Sequence, residues 1–326
     1  MQNFWEKLPR PFFALAPMAN VTDAAFRRVI AKYSKVEGGV PYVTYTEFVS
    51  ADGLALASAE GKAKLMRDLV FSEAERPIVA QFFTSNPAHM EAAARLAAEL
   101  GFDGIDINMG CPDHSIEKQG AGAKLMLNPK LAQELIAAAK RGAPNLSISV
   151  KTRLGYNKDV LDEWLPALLE AKPAAITIHA RTRKEMSKVP ARWSQVKRAV
   201  DIRNEMKSNT LIIGNGDLKD IGDAQQKIAE TGADGAMLGR AIFGRPWLFG
   251  NSPEDLASAK LRILVEHTKL FEELLGDIKS FAIMKKHFKA YVEGFVGAKE
   301  LRVQLMKATG AQEVEDSVET FLKESK

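Results

Sequence analysis

The chain has a single cysteine, Cys111, in 326 residues. One thiol excludes an internal disulfide and any zinc or iron–sulfur site built on several cysteines, and it points to a reducing compartment. Histidine is scarce as well, with five in the chain. Neither these nor the acidic residues cluster at metal-ligand spacing, so no metal is expected. Long apolar runs are missing: no stretch approaches the roughly 20 residues needed to cross a bilayer. The first nine residues, Met1 to Pro9, lack the basic region and apolar run of a secretory signal. The expectation is a cytoplasmic, monomeric protein with no membrane partner. Charge of one sign is also in short supply, since 45 basic and 41 acidic residues leave a formal +4. That is too little to argue for a nucleic-acid partner unless the basic residues are clustered.

What the chain does have is enough apolar content, 46%, to bury a large core. Eight short apolar runs read as strands: Phe12 to Ala16, Tyr42 to Phe48, Ile78 to Phe83, Gly104 to Met109, Ser147 to Thr152, Ala175 to Ala180, Leu211 to Gly214 and Gly235 to Leu238. Segments of helical period lie between most of them: Asp23 to Tyr33, Pro87 to Leu100, Pro129 to Arg141, Val160 to Ala171, Trp193 to Met206 and Leu218 to Thr231. Asp23 and Asn86 are placed as N-caps, and Gly101 and Gly142 as helix stops. The second connection, Ser50 to Arg76, is long enough to hold an insertion besides its helix. Strand–helix alternation implies a parallel sheet, and eight units in about 250 residues is the size of a TIM (β/α)8 barrel. An open doubly wound sheet would usually carry a glycine-rich fingerprint after its first strand, and none follows Phe12 to Met18.

The alternation stops after Trp247. From Pro253 onward the sequence reads as helices only: Pro253 to Gly276, Ile278 to Phe295, Ala298 to Thr309 and Gln312 to Lys323. The expected division is therefore a barrel over 1–250 and a small all-helical domain over 251–326. Lys279, Lys285, Lys286, Lys289, Lys299, Arg302 and Lys307 make a basic window there, followed by an acidic tail. Such a window fits either phosphate contact or a solvated face.

A barrel of this kind carries its active site where the strands end. The exits supply Met18, Glu47, Gln81, Asn108 and Cys111, then Lys151 and Arg153, His179 and Arg181, Asn215 and Asp217, and finally Gly239 and Arg240. Cys111 stands in Asn108-Met109-Gly110-Cys111-Pro112, where an alternating strand becomes a polar loop; a lone cysteine is more often a small buried hydrophobe, but this setting suits a reactive group. The turns Gly214 to Asp217 and Gly239-Arg240, after strands seven and eight, lie where barrels often seat a phosphate. With Gln81, Lys151 and His179 nearby, the mouth suits flavin mononucleotide, FMN.

These residues resemble the tRNA-dihydrouridine synthase family. The resemblance is carried by Ala16-Pro17-Met18-Ala19-Asn20-Val21-Thr22-Asp23, Thr46-Glu47-Phe48, Asp106 to Pro112, Gly120-Ala121-Gly122-Ala123, Val150 to Gly155, Ile178 to Arg183 and Gly214 to Asp217. In the tail, Met284-Lys285-Lys286-His287 and Gly294 to Ala298 extend it. It implies reduction of the C5–C6 double bond of specific tRNA uridines by FMN, itself reduced by NADPH. It also implies Cys111 as the general acid at C5, and Pro17, Met18 and Gln81 at the flavin ring. Lys151 and His179 would meet the ring's polar edge, and Asn215, Gly216, Asp217, Gly239 and Arg240 its phosphate end. Asn108 and Arg183 would read the extruded uracil, while Lys285, Lys286 and Lys289 would meet tRNA phosphates. His114 is the second candidate proton donor. Two other functions share the composition: a small-molecule flavin oxidoreductase on the same barrel, and a non-catalytic RNA-binding protein in which Cys111 is incidental.

Overall fold

A computed structural model describes residues 3–254 and 256–324. Eight parallel strands close into a barrel in sequence order: β1 Phe12–Leu15, β2 Tyr42–Ser50, β3 Ile78–Phe83, β4 Gly104–Met109, β5 Ser147–Arg153, β6 Ala175–His179, β7 Leu211–Asn215 and β8 Gly235–Leu238. Closure is direct, since Phe12 to Leu15 pair with Gly235 to Leu238. β1, β3, β4 and β8 are buried along their whole length. Parallel sheets covered on both faces need such near-continuous apolar runs, which is why the sequence shows them.

Contacts divide the chain into two compact units. The first comprises residues 1–18, 41–69 and 76–239, and the second residues 19–40, 70–75 and 240–326. The second unit therefore takes in the helix that follows β1 as well as the C-terminal helices.

Within the first unit one end of the barrel is apolar and the other polar, on the same inward face. Trp5, Phe12, Ala14, Ala16, Val43, Tyr45, Val79, Ala175, Ile213 and Met237 form a single buried cluster. Trp5 comes from the helix Phe4–Lys7 and packs on Phe12 with ring centroids 5.4 Å apart. Side chains alternate along a strand, so stepping on by two from Ala16, Val79, Ile213 and Met237 reaches Met18, Gln81, Asn215 and Gly239. The face that is filled with hydrocarbon at one end thus presents polar groups at the strand ends.

Several boundaries differ from the sequence expectation. β2 runs on to Ser50 through an irregularity between Tyr45 and Phe48, so Glu47 is buried within the strand and does not stand at its exit. Thr46 Oγ1 donates to Glu47 O at 2.7 Å and accepts from Gln81 N at 3.0 Å, side-chain bonding that accompanies the irregular ladder. The long second connection holds two helices, Ala51–Leu56 and Ala59–Asp68. Asp23 and Asn86 cap their helices as expected, through bonds to Phe26 N at 2.9 Å and Ala88 N at 2.9 Å. Gly142 is not a left-handed stop but the last residue of the helix Pro129–Gly142. A Cβ there would lie 2.1 Å from Glu91 O, so glycine is needed for close approach to the helix Pro87–Glu99.

In the second unit the helices are Ala24–Ser34, Leu256–Leu275, Lys285–Tyr291, Ala298–Leu305 and Ala311–Glu324. The expected helix from Pro253 starts at Leu256, and Asp255 lies outside the described residues. The expected segment from Ile278 to Phe295 is shorter: a 3-10 turn, Phe281–Met284, feeds the helix that ends at Tyr291. Arg27 is fully buried against Glu75, with Nε 2.7 Å from Oε2 and further bonds to the carbonyls of Thr22 and Val70. No helix among the described residues is long and apolar enough to cross a membrane.

Candidate active site

The turn after β4 is built by one side chain. Asn108 Oδ1 accepts the backbone N–H of Gly110 at 3.1 Å and of Cys111 at 2.9 Å, and Cys111 O accepts from Ala123 N at 2.9 Å. Cys111 is half-buried and packs against Phe83, Ile116 and Ala121. Burial pushes its thiol above the ordinary value, and the Asp113 charge adds to that; the Asp113 N–H on the sulfur and the charges of Lys151 and Arg153 pull the other way. The proton therefore stays on sulfur at neutral pH, and the groups that would stabilise a thiolate are already in place.

Register puts a buried polar chain beside that turn. β3 and β4 pair Gln81 with Asp106, and β4 and β5 pair Asn108 with Lys151. Gln81 Nε2 donates to Asp106 Oδ2 at 2.6 Å, Asn108 Nδ2 donates to Gln81 Oε1 at 3.0 Å, and Ser149 Oγ donates to Asp106 Oδ1 at 2.6 Å. Burial raises the Asp106 carboxyl to about 6 against the help of Ser149, Gln81 and the Lys151 charge. Burial, and then Arg153, bring the half-buried Lys151 ammonium down to about 8. No hydrogen bond to the Lys151 ammonium is formed among the described residues, so its protons remain for a ligand.

Arg153 is a strut: Nε bonds Gly110 O at 2.8 Å, and Nη1 reaches Thr182 O and Met186 O at 3.3 and 3.0 Å. It ties the Cys111 turn to the loop after β6. On the far side of the mouth, Arg181 Nη1 lies 3.1 Å from His179 Nε2 while its Nη2 pairs with the Asp217 carboxylate. A guanidinium can only donate, so His179 Nε2 accepts and the ring proton sits on Nδ1. Asp217 also receives Ala191 N at 2.9 Å, so its carboxylate is occupied within the protein. Asn215 Nδ2 donates to Met237 O at 2.7 Å.

The two glycines of the expected phosphate seat differ in kind. Gly216 has φ +131°, and a Cβ there would meet Ala191 Cβ at 2.7 Å, so the protein itself requires glycine. Gly239 has neither constraint: its nearest neighbours to a Cβ would be Ala16 Cβ at 3.5 Å and Met18 Sδ at 3.6 Å. Pro17 is buried beside the half-buried Met18. Arg240 is exposed and opens the second unit, where Lys285 is half-buried and Lys289 exposed. Lys286 Nζ donates to Asn20 O at 2.8 Å and is thus engaged inside that unit.

Arg183 is held by a residue the sequence reading did not single out. Its Nε bonds Glu117 Oε1 at 2.7 Å, its Nη2 pairs with Oε2, and its guanidinium carbon lies 5.0 Å from the Tyr156 ring centroid. Lys124 sits 5.3 Å from that same centroid. His114 is exposed in the short helix His114–Lys118 that carries Glu117. Only spacing within one segment is visible in a sequence, and Glu117, Asp106, Ser149 and Tyr156 act through partners on other strands and loops.

Residues 14–326 match the dihydrouridine synthase family. This chain belongs to that family. A "Probable tRNA-dihydrouridine synthase" of Staphylococcus aureus (strain COL) is 40% identical over 323 residues, covering 98% of this chain and 96% of that one. The "Probable tRNA-dihydrouridine synthase 2" of Bacillus subtilis (strain 168) is also 40% identical over 323 residues, with 98% and 97% covered. Among solved structures, histamine dehydrogenase from Rhizobium sp. 4-9 aligns with a TM-score of 0.52 at 13% identity, over 79% of this chain and 48% of that one. The amine oxidase HisD from Pseudomonas geniculata N1 gives 0.51 at 12% identity, over 82% and 53%. These two likenesses reflect the barrel fold. As a member of its family the synthase is a flavin-dependent oxidoreductase.

Proposed function

We propose that this synthase reduces the C5–C6 double bond of uridines in tRNA in the cytoplasm, with FMN at the barrel mouth, NADPH as the reductant and Cys111 as the proton donor. The placement of Cys111 carries the reading. It is the chain's one thiol, on a turn held by Asn108, with its proton retained by burial and two cations close enough to favour the sulfur anion.

The residues at the mouth suit a flavin on chemical grounds. Gly239 lacks a side chain although neither its backbone nor its packing demands that, which leaves its N–H open to a phosphate oxygen. Lys151 has protons to donate to an electron-rich ring edge, His179 stands at the end of β6 with Nε2 held by Arg181, and the second amide proton of Gln81 is not used by Asp106. Bound there and reduced by NADPH, FMN would supply the hydride for C6. The chain's residues do the rest. Asn108 and Arg183 hold the uracil, which must leave its stack at a cost of about a few kcal/mol. Cys111 gives its proton to C5, and Lys151, Arg153 and the Asp113 N–H stabilise the thiolate left behind. Contacts from Lys285 and Lys289 to tRNA phosphates help to offset the unstacking.

The deciding experiment is single-turnover oxidation of reduced holoenzyme by undermodified tRNA without oxygen. Cys111→Ala should retain FMN and its reduction by NADPH but lose about 100-fold or more in the tRNA-dependent step, the usual scale for a positioned proton donor. Cys111→Ser should remain strongly impaired, because a hydroxyl gives up its proton far less readily than a thiol. Wild-type rates in both variants would remove Cys111 from the mechanism and leave His114 as the donor to test.

A further inference from the structure

The hydrogen-bond chain beside Cys111 has a direction, and both of its ends dictate it. The backbone groups of Gly110 and Cys111 can only donate, so they must face the oxygen of Asn108. The nitrogen of Asn108 then faces Gln81, which must answer with its oxygen, and the nitrogen of Gln81 is left facing Asp106. An ionised carboxylate can only accept, so Asp106 demands that same orientation from the opposite end. Asp106 and Gln81 are fully buried and Asn108 nearly so, so the partners that fix both amides are these protein groups. Ser149 Oγ fills the second carboxylate oxygen of Asp106, and Thr46 Oγ1 receives the backbone N–H of Gln81 at 3.0 Å, so the carboxylate end and the backbone of the middle link are both anchored.

We propose that Asp106 is a positioning residue of the reaction: its carboxylate sets the direction of the Gln81 and Asn108 amides and, through them, the geometry of the Cys111 turn. The consequence for catalysis rests on Cys111 being the proton donor, but the chain itself can be tested on the thiol alone. Reversing the polarity of both ends should preserve the chain, whereas reversing one end should break it. In Asn108→Asp the new carboxylate still accepts from the turn, yet Gln81 must present its nitrogen and thereby aim its oxygen at the Asp106 carboxylate. In the double variant Asp106→Asn/Asn108→Asp the two bonds that join residues 106, 81 and 108 run the other way, with the amide at 106 donating to Gln81 Oε1 while it still accepts from Ser149. Asp106→Asn alone can keep its oxygen towards Gln81 while Ser149 accepts, so it should be tolerated.

Because the chain has one cysteine, alkylation of the holoenzyme by iodoacetamide reports on Cys111 alone. The rate is read at its high-pH plateau, where the thiol is ionised in every variant. Asn108→Asp and Asp106→Leu should change that rate by about threefold or more, since each frees the turn. Asn108→Asp should also lower Tm by about 4 °C or more, and adding Asp106→Asn should raise it again, the rescue that a shared hydrogen-bond direction requires, while the alkylation rate reads the effect at the thiol. A double variant no more stable than Asn108→Asp, or an Asp106→Leu protein alkylated at the wild-type rate, would overturn the proposal. If Asp106→Leu does not fold, the comparison of single and double variants still decides. Turnover persisting in Cys111→Ala would refute the proton-donor reading and leave these measurements unaffected.

Discussion

Glu117 clamps Arg183 with both carboxylate oxygens, one of them 2.7 Å from Nε. The glutamate is nearly buried and the arginine is partly exposed, its guanidinium lying against Tyr156. A charge-assisted, two-point contact of this kind fixes the plane of the guanidinium and leaves Nη1 for a further acceptor. If Arg183 reads the uracil, Glu117→Ala should raise KM for tRNA about tenfold while kcat falls less and FMN content stays normal. Glu117→Gln, which keeps one acceptor, should fall between. Unchanged KM in both would mean that the pair serves only to fold the loop after β6.

The two glycines offer a test of the phosphate seat. Gly239→Ala meets only ordinary contacts and a permitted backbone, so Tm should move by no more than about 2 °C, while FMN retention on dialysis should fall because a methyl group stands where a phosphate oxygen would approach. Gly216→Ala meets Ala191 Cβ at 2.7 Å with φ at +131°, so it should destabilise the apoprotein itself. Equal loss of stability in both apoproteins would show that Gly239 is structural.

How much of this was legible beforehand follows from the physics of each feature. The eight strands were readable because both faces of a parallel barrel are covered, which forces short apolar runs. Their ends were readable because the residue types change there from Ile and Val to Asn, Lys and His. The grouping of Asp106 with Gln81 was not, since those residues lie 25 apart and meet only through the β3–β4 register. Glu117 and Arg183, 66 apart, meet through loops that carry no periodicity at all. Glu47 was misplaced because an irregular strand breaks the alternation from which exits are counted. Likewise Lys286 reads as one more basic residue until its bond to Asn20 O is seen.

That bond changes which lysine should be used to test tRNA contact. Lys286→Glu would disturb the protein as well as any phosphate contact, whereas Lys289 is exposed and its ammonium forms no hydrogen bond or ion pair among the described residues. Lys289→Glu should weaken tRNA binding and reduce the slope of log K against log salt by about 1, with flavin content unchanged. A parallel shift at constant slope would place Lys289 away from the phosphates.

The second unit contains a further pH-dependent element in its core. His267 and His287 are both fully buried, with ring centroids 4.7 Å apart, and His267 is stacked on Phe26 at 4.7 Å. His287 also lies against Phe243, and Tyr291 OH is 3.4 Å from His267 Nδ1. Burial drives both histidines down, with the second ring adding to the effect at His267 and the Lys286 charge at His287, which falls to about 3. In the unfolded chain each titrates near its ordinary value, so below about pH 6.5 the unfolded state binds protons that the folded state refuses. Their contribution is present above that pH and is lost as the pH falls. Between pH 7 and pH 5 each histidine withdraws about 2 kcal/mol, while Asp106, raised to about 6, returns about 1 kcal/mol by taking up its proton in the folded state. The net expectation is a stability loss of about 3 kcal/mol, read as a fall in the urea midpoint at pH 5 relative to pH 7. His287→Phe, which matches its aromatic neighbours, should remove about 2 kcal/mol of that fall, whatever it does to stability at pH 7. A midpoint that declines equally in wild type and His287→Phe would show that the histidine is not the group being titrated.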